Sequence, residues 1–296
     1  VLNERSERVR QTRKLTRRPA REKSGLFLAE GAQAVREAVR SGADRVVEIL
    51  VTPGAQDRHP DIVTEAAQVG IDVRVAGDAA LASLSETVTP QGLVAICRSI
   101  VRTLDDVLPA DDAPATSYVL PAGDPPSPDG PSDSPAPGPP SLVAVLVDAR
   151  DPGNAGTVIR CADAAGADAV LFSHGSVDPE SGKAVRASAG SLFHIPVVSG
   201  APAHVIVQRL RQSGLTVLAA DGSGDLDLDE AEAEGILSRP TAWLFGNEAW
   251  GLPDEVRAVA DHVVRVPIYG QAESLNLATA AAVCLYASAR VLRTSP

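Results

Sequence analysis

Aromatic residues are nearly absent from this chain: Trp, Tyr and Phe together make up 3% of it, and it contains no Met. Its cores must therefore be built from Val, Leu, Ile and Ala. Cysteine is as scarce. Cys97, Cys161 and Cys284 are dispersed and odd in number, which excludes a disulfide framework or a zinc-ligand spacing and fits a reducing cytoplasm. No apolar run approaches the ~20 residues that a membrane-spanning helix needs. The N-terminus is basic and polar with no apolar segment behind it, so a signal peptide is not expected. Val1 and the missing Met point to an absent or alternative start residue and carry no functional meaning.

The 296 residues leave room for two domains, and a net charge of −11 argues against a surface coated in nucleic-acid contacts. The charge is unevenly distributed, however. Arg5, Arg8, Arg10, Arg13, Lys14, Arg17, Arg18, Arg21 and Lys23 face only Glu4, Glu7 and Glu22 within residues 1–23. Such a basic arm is suited to phosphate contacts, although a solvated tail would carry the same pattern.

Residues 24–100 read as one small α/β unit, with strands at Leu26–Ala29, Val46–Val51, Val73–Val75 and Gly92–Cys97 and helices at Ala32–Arg40 and Asp61–Val69. Residues 101–141 are expected to be a linker. From Pro109 to Pro140 they are Pro, Asp, Gly, Ser and Ala with almost no large apolar side chain, so 121–140 should be mobile. From residue 142 to 296 strands and helices alternate, which predicts a parallel sheet with helices on both faces and a ligand at the carboxyl ends of its strands.

Three blocks fall at that edge: Asp151–Arg160, Leu244–Leu252 and Val266–Leu277. Each ends an apolar run with small residues, then presents polar groups. Taken singly they have plain structural readings. Asn154 can cap a helix, Arg160 can be a surface charge, Glu248 can solvate a turn, and Ser274 can cap the last helix with Asn276 in its first turn. Gly153-Asn-Ala-Gly156 lacks the G-x-G-x-x-G spacing of a dinucleotide fold, and no Gly-Lys-Ser/Thr follows to make a P-loop. The five His lie outside the blocks, so Ser274 has no triad. Cys284 sits in an apolar helix and reads as core rather than nucleophile.

Together, in this order, the blocks resemble the SpoU (TrmH-like) class of the SPOUT superfamily of RNA methyltransferases. The resemblance rests on Asn154, Gly156 and Arg160; on Gly246, Glu248 and Gly251; and on Val266, Pro267, Gly270, Ser274, Leu275 and Asn276. The stretch Arg186-Ala-Ser-Ala-Gly190 and Pro196-Val197 is similar to the segment between those motifs. Phe27-Leu-Ala-Glu-Gly31 and Thr89-Pro-Gln-Gly-Leu-Val94 resemble, more softly, an L30e-like substrate-binding domain. What the resemblance implies is a deep C-terminal trefoil knot, a homodimer, and S-adenosylmethionine held by backbone around Ala220, Gly246, Val266, Ile268 and Leu275. The implied reaction is methyl transfer to a ribose 2′-hydroxyl of RNA; the basic arm with the L30e-like domain suggests a structured RNA, ribosomal rather than transfer RNA, and the polar residues of the three blocks form no metal-ligand pattern.

Arg160, Asn154, Glu248, Ser274 and Asn276 are the implied catalytic set. A guanidinium stays protonated, so Arg160 is read as the stabiliser of the developing oxyanion, with the other four fixing it and the ribose. Two other readings stand beside this one. The first is a cofactor-free RNA-binding relative on the same fold. The second is a Rossmann-type nucleotide enzyme, which only the alternation of strands and helices supports.

Overall fold

A computed structural model describes residues 1–108 and 139–294. The expected mobile stretch at 121–140 therefore lies almost wholly outside the described residues. In chain order the first part contains α1 (Glu7–Arg13), α2 (Arg18–Ser24), β1 (Leu26–Glu30), α3 (Ala32–Arg40), β2 (Val46–Val51), α4 (Pro53–Arg58), α5 (Pro60–Gln68), β3 (Val73–Val75), α6 (Asp78–Ala82), β4 (Leu93–Arg98), β5 (Val101–Arg102) and α7 (Leu104–Val107). The second contains β6 (Leu142–Leu146), α8 (Pro152–Ala165), β7 (Ala169–Ser173), α9 (Gly182–Ala187), β8 (Val197–Ala201), α10 (Ala203–Gln212), β9 (Thr216–Ala220), β10 (Leu226–Asp227), α11 (Leu228–Ala233), β11 (Thr241–Phe245), α12 (Asp254–Ala258), β12 (His262–Arg265) and α13 (Leu277–Thr294).

The N-terminal sheet has the order β1-β4-β2-β3, with β4 antiparallel to both its neighbours. Alternation along its strands sends Leu28, Leu50, Val94 and Ile96 to one face and Phe27, Ala29, Ile49 and Ala95 to the other. Helices α3 and α5 cover the second face through Val35, Val39 and Ile62. The first face is covered in part by the basic arm, which is folded rather than frayed. Val9 and Leu15 are buried there, each worth about 1.5–3 kcal/mol of apolar burial. One arginine of the arm, Arg21, is itself buried.

The second sheet has eight strands, all parallel, in the order β10-β12-β9-β11-β6-β7-β8-β5. The linker boundary at residue 101 needs correction. Val101–Arg102 pairs with β8 as the eighth strand, and a Thr103–Asp106 capping box starts α7. Val107 and Leu108 are buried beside Val198 and Leu210. Their apolar spacing was hidden by the Pro-rich stretch that follows.

A parallel sheet needs cover on both faces. Helices α8 and α13 supply one side through Val158, Ile159, Ala281 and Leu285; α10 and α12 supply the other through Ile206, Leu210 and Val256. Trp243 is wholly buried under α13, where its indole N–H donates to Ser288 Oγ at 2.9 Å, which removes the cost of an unpaired donor. The chain runs outward from β6 to β8, then returns to the far side of β6 to build β9, β11 and β12. That reversal is a switch point of the kind where open α/β sheets bind ligands.

Candidate active site

β11 ends at Phe245, and the chain must turn at once across the sheet edge. A Cβ on Gly246 would lie 2.2 Å from the Gly251 carbonyl carbon and 2.3 Å from Leu252 N, so only glycine fits. The turn closes by paired backbone bonds between Asn247 and Gly251, both 2.9 Å. Asn247 is buried. Its Nδ2 donates to the Asp148 carbonyl at 2.7 Å, and its Oδ1 accepts from Ala249 N at 2.8 Å. This brace ties the second sequence block to the end of β6. Reading the sequence missed it, because the two residues are 99 positions apart.

Glu248 leads the turn toward α8. Its carboxylate accepts from Arg150 N and Asp151 N, each at 3.1 Å, and from Asn154 Nδ2 at 3.3 Å. Asn154 Oδ1 in turn accepts from Asn276 Nδ2 at 3.0 Å. Asn276 Oδ1 accepts from Ala278 N at 2.9 Å and Thr279 N at 3.3 Å, which caps α13. One relay thus joins all three blocks. Burial pushes the Glu248 pKa up, but these donors and its own backbone outweigh it and leave the carboxyl below its usual range. A depressed carboxylate is a poor base and a good fixed acceptor.

Two capping expectations are corrected. Asp151, not Asn154, caps α8: its Oδ1 accepts from Asn154 N at 2.8 Å, and Lys183 Nζ donates to Oδ2 at 2.9 Å. The Lys183 bond, followed by the backbone bond, holds the Asp151 pKa low. Asn276, not Ser274, caps α13, so Ser274 lies before the helix rather than at its start. Gly156 serves packing, since a Cβ there would lie 2.2 Å from the Ala184 carbonyl oxygen on α9.

These elements enclose a cleft of about 480 Å³ at the carboxyl ends of β9, β11 and β12. Ala220, Gly246, Val266, Ile268 and Leu275 line it, as do Asn154, Glu248, Ser274 and Asn276. Its size and its mixed apolar and polar lining suit a small organic cofactor. Asp221 and Glu273 also line it and were not expected. Burial pushes the Asp221 pKa up, but bonds from Ser223 and the charge of Arg257 leave it lowered, so a carboxylate faces the cleft.

Arg160 is not brought to the cleft. It is exposed on α8, and its side chain makes no hydrogen bond or ion pair among the described residues. Cys284 is buried in α13 and its thiol is pushed up to about 12 by burial, so it is inert.

Residues 141–286 match the SpoU rRNA Methylase family, and residues 6–95 match the MRM3-like substrate binding domain. The 23S rRNA (guanosine(2553)-2′-O)-methyltransferase of Bacillus subtilis is 32% identical over 291 residues, 97% of each chain. The AdoMet-bound rRNA methyltransferase from Sinorhizobium meliloti superposes with a TM-score of 0.76 at 27% identity, over 98% of this chain and 97% of that one. The SpoU methyltransferase AviRb from Streptomyces viridochromogenes, solved with the cofactor AdoMet, gives 0.73 at 27% identity, over 96% and 98%.

Proposed function

The chain belongs to the SpoU rRNA methylase family, and on that premise we propose that its cleft carries methyl transfer from S-adenosylmethionine to a ribose 2′-hydroxyl of ribosomal RNA. The observation that carries this reading is the relay from Glu248 through Asn154 to Asn276 at the rim of the cleft. It favours an enzyme over a cofactor-free RNA binder, because the cleft behind the relay has the size and the mixed apolar and polar lining that suit a small molecule. The absent G-x-G-x-x-G turn removes the Rossmann alternative.

S-adenosylmethionine, when bound, supplies a methyl group on a positively charged sulfur. The backbone around Ala220, Gly246, Val266, Ile268 and Leu275 would hold it, in a cleft that the Asp221 carboxylate also faces. Glu248, fixed as an ionised acceptor, sets the Asn154 amide, and Asn276 holds that amide from the other side. Asn154 and Ser274 then orient the ribose so that the 2′-oxygen attacks in line. Methyl transfer would form the O–C bond and break the C–S bond, with the hydroxyl proton passing to a phosphate oxygen of the RNA or to water. Arg160 stabilises the oxygen as it gains charge.

Arg160 stands outside its own cleft, so we assign it to the cleft of a second copy in a homodimer. Exposed Tyr269 and Tyr286, near the cleft and on α13, offer apolar surface for that contact. The knotted path of the C-terminal segment belongs to the same reading, as does a cytoplasmic site of action on ribosomal RNA. Arg160→Ala is expected to abolish methyl transfer while leaving the Kd for S-adenosylmethionine nearly unchanged. Mixing it with Gly246→Val, which blocks the cleft, should restore part of the activity through hybrid dimers. Full activity of Arg160→Ala alone would overturn the assignment.

A further inference from the structure

The lining of the methyl-transfer cleft carries charge of one sign. Asp221, Glu248 and Glu273 border it, and among the described residues no Lys, Arg or His does. Each acid comes from a different part of the chain: Asp221 follows β9, Glu248 sits in the turn after β11, and Glu273 lies in the segment before α13. Glu248 is committed to the relay, and its donors keep it ionised. Asp221 is only half committed. Its Oδ1 accepts from Ser223 N at 2.9 Å and from Ser223 Oγ at 2.6 Å. Its Oδ2 has no hydrogen bond among the described residues. That oxygen lies 3.5 Å from where a Cβ on Gly251 would stand, so it reaches toward the turn after β11, which also lines the cleft. Arg257 stands 3.6 Å from Asp221 Oδ1 outside the lining, and it divides its charge with Asp254, 2.6 Å away. Glu273 is exposed and makes no hydrogen bond or ion pair among the described residues.

Val264, Val266 and Leu275 supply apolar wall beside these carboxylates. Such a wall lowers the local dielectric, so a charge is felt more strongly there than in bulk water. The two nucleosides that meet the cleft in a methyl transfer differ by one charge. S-adenosylmethionine carries a carboxylate, an ammonium and a sulfonium, for one net positive charge. When the methyl group leaves for the ribose oxygen, the C–S electron pair stays on sulfur. S-adenosylhomocysteine therefore keeps the carboxylate and the ammonium but holds a neutral thioether, with no net charge. Every other group is common to both, so an acidic lining acts on that difference alone.

We propose, on the methyl-transfer reading of this cleft, that Asp221 and Glu273 select the cationic methyl donor over its neutral product. Shape and backbone contacts hold the adenosine that both share, and charge tells the two apart. Transfer itself removes the attraction that held the donor, so the spent product yields the cleft to the next donor.

Calorimetry on the full chain without RNA tests this with S-adenosylmethionine, S-adenosylhomocysteine and sinefungin, in which an amine-bearing carbon replaces the sulfonium and keeps the positive charge. The wild type should bind both cations more tightly than the neutral product, and raising the salt from about 0.05 to 0.5 M should narrow the gap. Asp221→Asn, which retains Oδ1 as the Ser223 acceptor, and Glu273→Gln should each weaken both cations about three- to tenfold. Binding of S-adenosylhomocysteine should stay within about twofold, which a distorted cleft would not allow. Glu273→Lys, at an exposed position, should erode the preference further and does not depend on Asp221→Asn folding. A wild type that binds all three alike, equal weakening of all three in the variants, or an unchanged preference in every variant would overturn the proposal. If the wild type binds neither S-adenosylmethionine nor sinefungin, the cofactor reading of the cleft fails, and the proposal falls with it.

Discussion

At the residue scale, catalysis is a matter of fixing a few polar groups. Glu248→Gln keeps the shape of the relay but replaces an ionised acceptor of three donors by a neutral one. Hydrogen bonds to charged groups contribute about 1.5–3 kcal/mol, so kcat should fall about 10- to 100-fold while the fold persists. Single-turnover methyl transfer checks this. Gly246→Ala should act differently, because its Cβ meets backbone that cannot yield. Calorimetry should find cofactor affinity lost before RNA affinity. The glycines, Asn154, Glu248 and Asn276 were legible because they recur in a fixed order. Asn247 and Asp221 were not, since their roles depend on Asp148, Ser223 and Arg257, which only the folded turn brings near. The caps were misread for a related reason. Asp151 and Asn154, like Ser274 and Asn276, are both capable of capping, and spacing alone does not choose between them.

At the element scale, the strands of both sheets were legible because apolar runs and alternation set them directly. The arm was not. Val9 and Leu15 stand among arginines, so its helices have little apolar signal of their own and depend on the sheet beneath them. Arg21 is the clearest sign of that dependence. Its Nη2 lies 2.6 Å from Asp178 Oδ2, its Nε 2.9 Å from the same oxygen, and its Nη1 donates to the Leu15 carbonyl at 2.9 Å. Both partners are largely shielded from water. Arg21→Ala would leave Asp178 buried without its charge partner, at a cost of about 3–5 kcal/mol. Urea denaturation should show this loss, whereas Arg18→Ala, an exposed pair with Glu22, should change stability by less than about 1 kcal/mol.

At the scale of the whole molecule, the polar contacts between the two units include three pairs at nearly constant spacing. Arg21–Asp178, Glu30–Arg186 and Glu37–His194 are separated by 157, 156 and 157 positions, so residues 21–37 run beside residues 178–194 in register. Phe27 stacks on Phe193 in the same seam, with ring centroids 6.0 Å apart. No local pattern announces such a seam, because each charge finds its partner only after both units have folded. Its third pair is sensitive to pH. Burial pulls the His194 pKa down, but bonds to Asp163 at 2.8 Å and Glu37 at 3.2 Å, and their charges, leave it raised. A raised histidine pKa stabilises the folded state fully below about 6.5, and that contribution is lost as pH rises through the higher folded value. The Tm should therefore fall as pH rises over that interval, and His194→Gln should flatten the trend. The proposed activity of the whole molecule depends on the chemistry of one cleft. The measurement that tests it most directly follows labelled methyl from S-adenosylmethionine into a 23S rRNA transcript and maps its position by resistance to alkaline cleavage. Label is expected at one ribose 2′-oxygen in the wild type and at none in Arg160→Ala. No incorporation, or label on a base, would contradict it.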